Sequence, residues 1–184
     1  MRCLALALAF ASFLLAPSAR AVEKQQHIAL APMLAFLKID GKSTLSVGGG
    51  AELQYAYGLT DQLNLTASAS HAIVARNQGQ DTDKTPRDRP AAIGQASVGV
   101  TYVLDILRWV PWGGVEGGLY WLTGGTLPSA ILAPGGSAAL GLDYQITRHL
   151  ALGVEGREHF VLTHLGTYPS YTTVLLRFAY MWGW

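Results

Sequence analysis

Five charged residues fall on one side of alternating apolar stretches in this sequence: Glu52, Glu116, Glu155, Arg157 and Arg177. Three carboxylates and two guanidiniums gathered in one narrow space pair with one another through charge-assisted hydrogen bonds. Such a network either locks the space as a structural plug or rearranges as a gate for ions. Taking one partner away would leave a buried charge uncompensated, at ~3–5 kcal/mol. Nucleophilic chemistry is the other candidate, with His159 and His164 as bases, Ser170 as nucleophile and Glu155 or Glu158 as orienting acid. Metal chemistry has little support: His27, His71, His149, His159 and His164 are scattered, without the paired spacing of a zinc site. No phosphate-cradling loop exists either, because "GGG" at 48–50 lies inside an apolar alternating stretch. We therefore expect no catalytic residue, no metal and no cofactor.

What must position the five charges is a set of strands. In "LSVGGGAELQYAYG" the residues Leu45, Val47, Leu53, Tyr55 and Tyr57 share one parity, and Ser46, Gly48, Gly50, Glu52 and Gln54 the other. Residues two apart share a face of a strand, and alternation over more than ten residues suits a tilted membrane strand of ~9–11 residues. "LNLTASASHAIV" repeats the pattern after the turn "LTDQL", which makes a hairpin. The same alternation recurs around 93–105, 110–122, 137–144 and 150–160, and finally over 172–184. The stretch "HIALAPMLAFLKI", His27 to Ile39, is apolar on both parities and broken by Pro32, so it counts as a strand without an orientation. The total is eight. At ~3.3 Å per residue the five charges sit at similar depth, and an eight-stranded interior is about wide enough to be filled by side chains. They should therefore meet. Glu158 is the exception, a carboxylate whose parity points outward.

Composition agrees with a membrane barrel. Charged residues are 14% of the chain and hydrophobic ones 50%, against ~25% charged in ordinary soluble domains. No run of 18 apolar residues supplies a helical span, so the hydrophobicity is hidden in alternation. The first residues, with Arg2, an apolar run from Cys3 to Leu15, and Ala19 and Ala21, predict a secretory signal peptide cleaved after Ala21. The mature domain is then 22–184, without the only cysteine, Cys3, and so without a thiol or lipid anchor. Losing Arg2 and Arg20 from 13 basic against 12 acidic residues leaves 11 against 12. Nothing suggests nucleic acid.

Connections alternate in length. Those near 58–62, 105–109 and 145–149 are short, and 76–91, 123–135 and 163–171 are longer and rich in turn formers; only "DGKS" is a brief outer loop. Short turns on the periplasmic rim and long loops outside are the habit of outer-membrane barrels. Both termini then lie at the periplasmic rim. There Tyr55, Tyr57, Phe178, Tyr180, Trp182 and Trp184 form an aromatic girdle at the membrane interface.

The hairpin "GGGAELQYAYGLTDQLNLTASA", the segment "RWVPWGGVEGGLYW" and the closing "LLRFAYMWGW" resemble small outer-membrane β-barrel proteins of the OmpA, OmpX and OmpW type, across the whole mature chain. The resemblance implies an all-β, eight-stranded antiparallel up-and-down transmembrane barrel in a bacterial outer membrane. It also implies assembly by periplasmic chaperones and the barrel assembly machinery, which would read the C-terminal aromatic strand, with Trp184 in the place where phenylalanine is commoner. Its surroundings would be outer-membrane lipid and lipopolysaccharide, and its state a monomer. Relatives that deacylate lipid A carry a serine two positions after the histidine. Here Val161 and Gly166 occupy the positions two after His159 and His164. The expected function is thus non-enzymatic: a barrel with a charge-plugged lumen serving envelope integrity or surface interaction. A small channel for ions or hydrophobic solutes is the alternative, and a lipid A modifying enzyme the third reading.

Overall fold

The structure, a computed structural model, describes residues 24–39, 45–74, 88–104, 108–164 and 170–183. Residues 1–23, which include the segment expected to be a signal peptide, Trp184 and most of 76–91 lie outside that set. Eight strands follow one another: β1 (Gln26–Leu37), β2 (Ser46–Gly58), β3 (Leu63–Val74), β4 (Ala92–Val103), β5 (Trp109–Thr123), β6 (Ile131–Gln145), β7 (Leu150–Val161) and β8 (Tyr171–Trp182). Each pairs antiparallel with the next, and β8 pairs with β1, so the sheet closes into a barrel. Closure leaves no edge with unpaired backbone groups, which is what hydrocarbon demands of a spanning sheet.

Alternation decides which side each residue takes. Leu53, Leu65, Val98, Leu119, Leu140, Val154 and Leu176 all face out and are exposed, Leu140 by 75%. An apolar surface that wraps the whole barrel is a lipid-facing surface. The orientation of β1, open from sequence, is settled by its neighbours. Ala29, Ala31, Met33, Ala35 and Leu37 are buried inside, and Ile28, Leu30 and Leu34 face out. Both of its parities are apolar because this part of the interior is itself apolar: Ala31, Met33, Ala35, Ala72 and Leu175 form one cluster. Pro32 is tolerated at the β1–β8 seam, where the ladder omits Ala31 and Pro32 between the Leu30↔Phe178 and Met33↔Leu175 pairs. A residue without an N–H cannot complete that rung.

Most strand boundaries differ from the sequence expectation by a residue or two, and one by more. The sixth strand begins at Ile131, well before Ser137, because Ile131, Ala133 and Gly135 already alternate inward through Pro134. The connection expected over 123–135 is accordingly shorter. The fifth strand starts one residue earlier, at Trp109, and the eighth at Tyr171.

Two of the short turns share one device. Thr60 Oγ1 accepts from the Leu63 amide at 3.0 Å, and Thr147 Oγ1 from the Leu150 amide at 3.1 Å. Each turn also closes a backbone bond, Leu59 N to Leu63 O at 2.8 Å and Ile146 N to Leu150 O at 2.9 Å. A threonine hydroxyl thus takes amides that the reversing chain would leave unsatisfied.

Candidate functional site

The site is the lumen, and its floor plan follows from register. Glu155 and Arg157 are two apart on β7 and face inward together, so Arg157 Nε donates to Glu155 Oε1 at 2.8 Å. Its other nitrogens reach across the barrel. Nη1 lies 2.8 Å from Glu116 Oε2 on β5, and Nη2 lies 3.1 Å from Glu52 Oε1 on β2. Arg157 therefore joins three carboxylates from three strands. Glu116 Oε2 also accepts from Ser68 and Ser97, each at 2.7 Å. Glu52, Glu155 and Arg157 are all nearly excluded from solvent, and such charges persist in a barrel interior only when paired and hydrogen-bonded.

Arg177 forms a second centre nearer the short-turn end. Its Nη1 donates to both oxygens of Asp143, at 2.8 and 2.6 Å, and its Nε to Gln54 Oε1 at 2.8 Å. The Arg177 Nε to Glu155 Oε2 separation is 3.5 Å. The guanidinium carbon also stands 4.5 Å from the centre of the Trp112 ring, a cation–π arrangement. Gln54 links the centres, because its Nε2 donates at 2.7 Å to both Glu52 Oε1 and Glu155 Oε2.

Glycines make room for these side chains. Gly153 pairs with Asp143 on one side and Arg177 on the other, so the two charges meet over a residue without a side chain. A Cβ there would collide with Asp143. Gly141 stands likewise between Trp112 and Glu155 in register, and a Cβ on it would strike the indole.

The five charges singled out by parity are thus brought together in the lumen. Sequence reasoning left out Asp143, Gln54, Gln95, Ser68 and Ser97, although each sits on the inward parity of its strand. Asp143 was legible on the same parity as Ser137 and Gly141; that it faces Arg177 depended on cross-strand register.

Above the charges, toward the long loops, the lumen turns apolar, which parity alone did not reveal. Leu37, Ile39, Val74, Ile93, Tyr120, Leu122, Val161 and Tyr171 form one buried cluster. His159, considered above as a base, is fully buried here: its Nε2 lies 3.0 Å from Thr173 Oγ1 and its Nδ1 3.3 Å from the Tyr120 hydroxyl. Glu158 faces outward and accepts from Thr172 Oγ1, and Ser170 is partly buried immediately before β8.

The girdle aromatics sit on the outer face near the short-turn end. Tyr57 and Trp182 both pair with Gln26, and Tyr55 and Tyr180 both pair with Ile28. Tyr180 stacks on Trp182 with centroids 5.8 Å apart. Phe178 lies one inward–outward step deeper, beside Leu30 and Leu152.

A closed, antiparallel, eight-stranded sheet with an apolar exterior and an ion network inside defines the class: an eight-stranded transmembrane β-barrel of the kind found in small outer-membrane proteins. No protein-family model matches the sequence, and no curated protein is similar to it by sequence. Its fold is similar to Neisserial surface protein A (13% identity, TM-score 0.61, covering 85% of this chain and 95% of that one). It is also similar to the attachment invasion locus protein Ail of Yersinia pestis (13%, 0.58, 88% and 100%). A third likeness is to the outer membrane protein OprG of Pseudomonas aeruginosa (14%, 0.59, 89% and 99%). At these identities the likeness is one of fold.

Proposed function

We propose that this protein is a non-enzymatic, integral barrel of a bacterial outer membrane, a closed structural component of the envelope whose outer loops are available for surface interaction. The observation that carries the reading is the double occlusion of the lumen. Arg157 draws Glu52, Glu116 and Glu155 together across the barrel, and Tyr120, His159 and Tyr171 fill the space above them. An ion would have to pass both a ring of paired charge and a dry aromatic layer. The apolar exterior and the outward aromatics support the lipid setting; in this reading the protein is a monomer among outer-membrane lipid and lipopolysaccharide, delivered by periplasmic chaperones and the barrel assembly machinery. Two of the similar folds belong to proteins named for a surface and an attachment role, which favours the loops over the lumen as the place of interaction.

Planar-bilayer recording of the refolded protein tests the reading: silence is the expected result. Steady openings that change in both Glu52→Ala and Arg177→Ala would overturn it in favour of a channel. That second reading draws on a cavity of about 60 Å³ in the short-turn half of the lumen. Turnover of labelled lipid A, lost in Ser170→Ala, would instead establish an enzyme.

A further inference from the structure

The short-turn rim is charged unevenly. The turn between β2 and β3 carries Asp61 and no base, whereas the rim where β5, β6 and β7 meet carries Arg108, Arg148 and His149. Register brings these basic residues together. The Gln145 amide donates to the Arg108 carbonyl at 2.9 Å, next to the Trp109↔Tyr144 pair, and Arg148 follows in the turn after β6. Arg108 and Arg148 thereby line one open recess of about 440 Å³ with Gln145, Ile146 and Thr147. No carboxylate lines it, and neither guanidinium has a partner among the described residues. Two like charges beside one recess repel each other until an anion joins them. The neighbouring polar groups are already engaged: the Thr147 hydroxyl takes the His149 and Leu150 amides, and the His149 ring meets the Met181 carbonyl and the Tyr180 ring. The two arginines are therefore the groups left for a ligand.

A second set of residues says what kind of anion fits. Trp109 and Tyr144 face outward beside the recess with ring centroids 4.8 Å apart, the position amphipathic rings take at the level of lipid headgroups. Leu150, two residues after Arg148, is the register partner of Tyr180 in the girdle, so the recess lies at the height of the membrane boundary. Ile146 lines it and is exposed, and exposed Leu150 and Leu152 continue the apolar outer surface from there. The recess thus offers charge on the water side and aliphatic surface on the lipid side. A soluble anion would use only the first.

We propose that Arg108 and Arg148 clamp the phosphate of an anionic phospholipid in the leaflet that faces the short turns, with its acyl chains against Ile146, Leu150 and Leu152. Guanidinium groups suit this task because their paired N–H donors match the oxygens of a phosphate. The inference rests on the outer-membrane reading above, in which that leaflet is the inner, phospholipid one. The lipid is held on the outside of the barrel, so the site is independent of whether the lumen conducts.

Native mass spectrometry of the refolded protein, released from mixed micelles with equal amounts of phosphatidylglycerol and phosphatidylcholine, counts the lipid that the folded barrel keeps. Phosphatidylglycerol should be retained in preference. Arg108→Gln and Arg148→Gln should each reduce the preference about fivefold, the effect of about 1 kcal/mol per basic group at a membrane surface, and the double variant should show none. Lys24→Gln, which removes another base from the same rim, should leave it unchanged. Both arginines are exposed, so the variants should fold, and heat-modifiable gel migration checks that they do. Equal retention of the two lipids, a preference that survives in the folded double variant, or an equal loss in Lys24→Gln would overturn the proposal. Displacement of the lipid by inorganic phosphate would overturn it too, by marking an anion site that does not need a lipid. Insertion of the wild type into phosphatidylcholine vesicles separates the two readings: failure to insert refutes the membrane barrel itself, whereas insertion without headgroup preference refutes the lipid site alone.

Discussion

The imidazole of His159 lies flat on the ring of Tyr171, with centroids 4.2 Å apart and planes 5° from parallel. The two are direct register partners on β7 and β8, and Tyr120 meets both edge-on, at 5.8 and 6.2 Å. This trio closes the long-loop half of the lumen as an aromatic layer. Tyr171→Ala should remove the central ring and cost about 3–5 kcal/mol, as large aromatic truncations do. Urea unfolding followed by heat-modifiable gel migration measures it. The same variant should remain silent in bilayers, since the ion network below still fills the barrel.

Arg157 is the hub on which three carboxylates converge. Arg157→Met should destabilise the barrel by about 3–5 kcal/mol, because Glu52, Glu116 and Glu155 lose their common counter-charge together. Arg157→Lys should recover only part of this, since one ammonium cannot reproduce a planar fork that donates from three nitrogens. Midpoints of urea unfolding for the two variants, compared with wild type, check the order.

Glycines on opposite faces should behave oppositely. A Cβ on the inward Gly99 would collide with the Val115 carbonyl and come within 2.6 Å of Glu116 Cα. Gly99→Ala should therefore force the β4–β5 pair apart, with a loss of about 1–3 kcal/mol or more. The outward Gly156 has nothing within 4 Å of its would-be Cβ, so Gly156→Ala should be neutral or stabilising by about 0.5–1 kcal/mol. Parallel unfolding curves of the two alanine variants make the comparison.

Glu158 carries a carboxylate on the lipid-facing side, three residues before the end of β7, bonded to Thr172. Glu158→Leu should stabilise the barrel in vesicles by up to about 1 kcal/mol, the modest size proper to a charge near an interface. A loss of stability on that substitution would instead show that the Glu158–Thr172 bond contributes more than its desolvation costs.

Much of this molecule was readable from parity. Alternation in "LSVGGGAELQYAYG" and its successors named the strands, assigned Glu52, Glu116, Glu155, Arg157 and Arg177 to one side, and put Tyr55, Tyr57 and Tyr180 on the other. That succeeds because a strand has a period of two and a membrane rejects charge, so each strand by itself declares its faces. Parity says nothing about the distance between two inward residues on different strands. The join of Asp143 to Arg177 over Gly153, the bridge of Gln54 between the two centres and the direction of β1 all depend on register and closure. So does the apolar layer: Tyr120 sits on a parity read as polar, Leu37 on a strand left without an orientation and Tyr171 just before the last expected strand, and only the closed barrel gathers them into one cluster. The sequence by itself determined the barrel and its two faces, because those follow from local periodicity and solvent. The tertiary structure alone decided which charges pair, where the lumen is sealed and where a cavity remains, because side chains separated by as many as 123 residues come within hydrogen-bond reach only after the sheet closes.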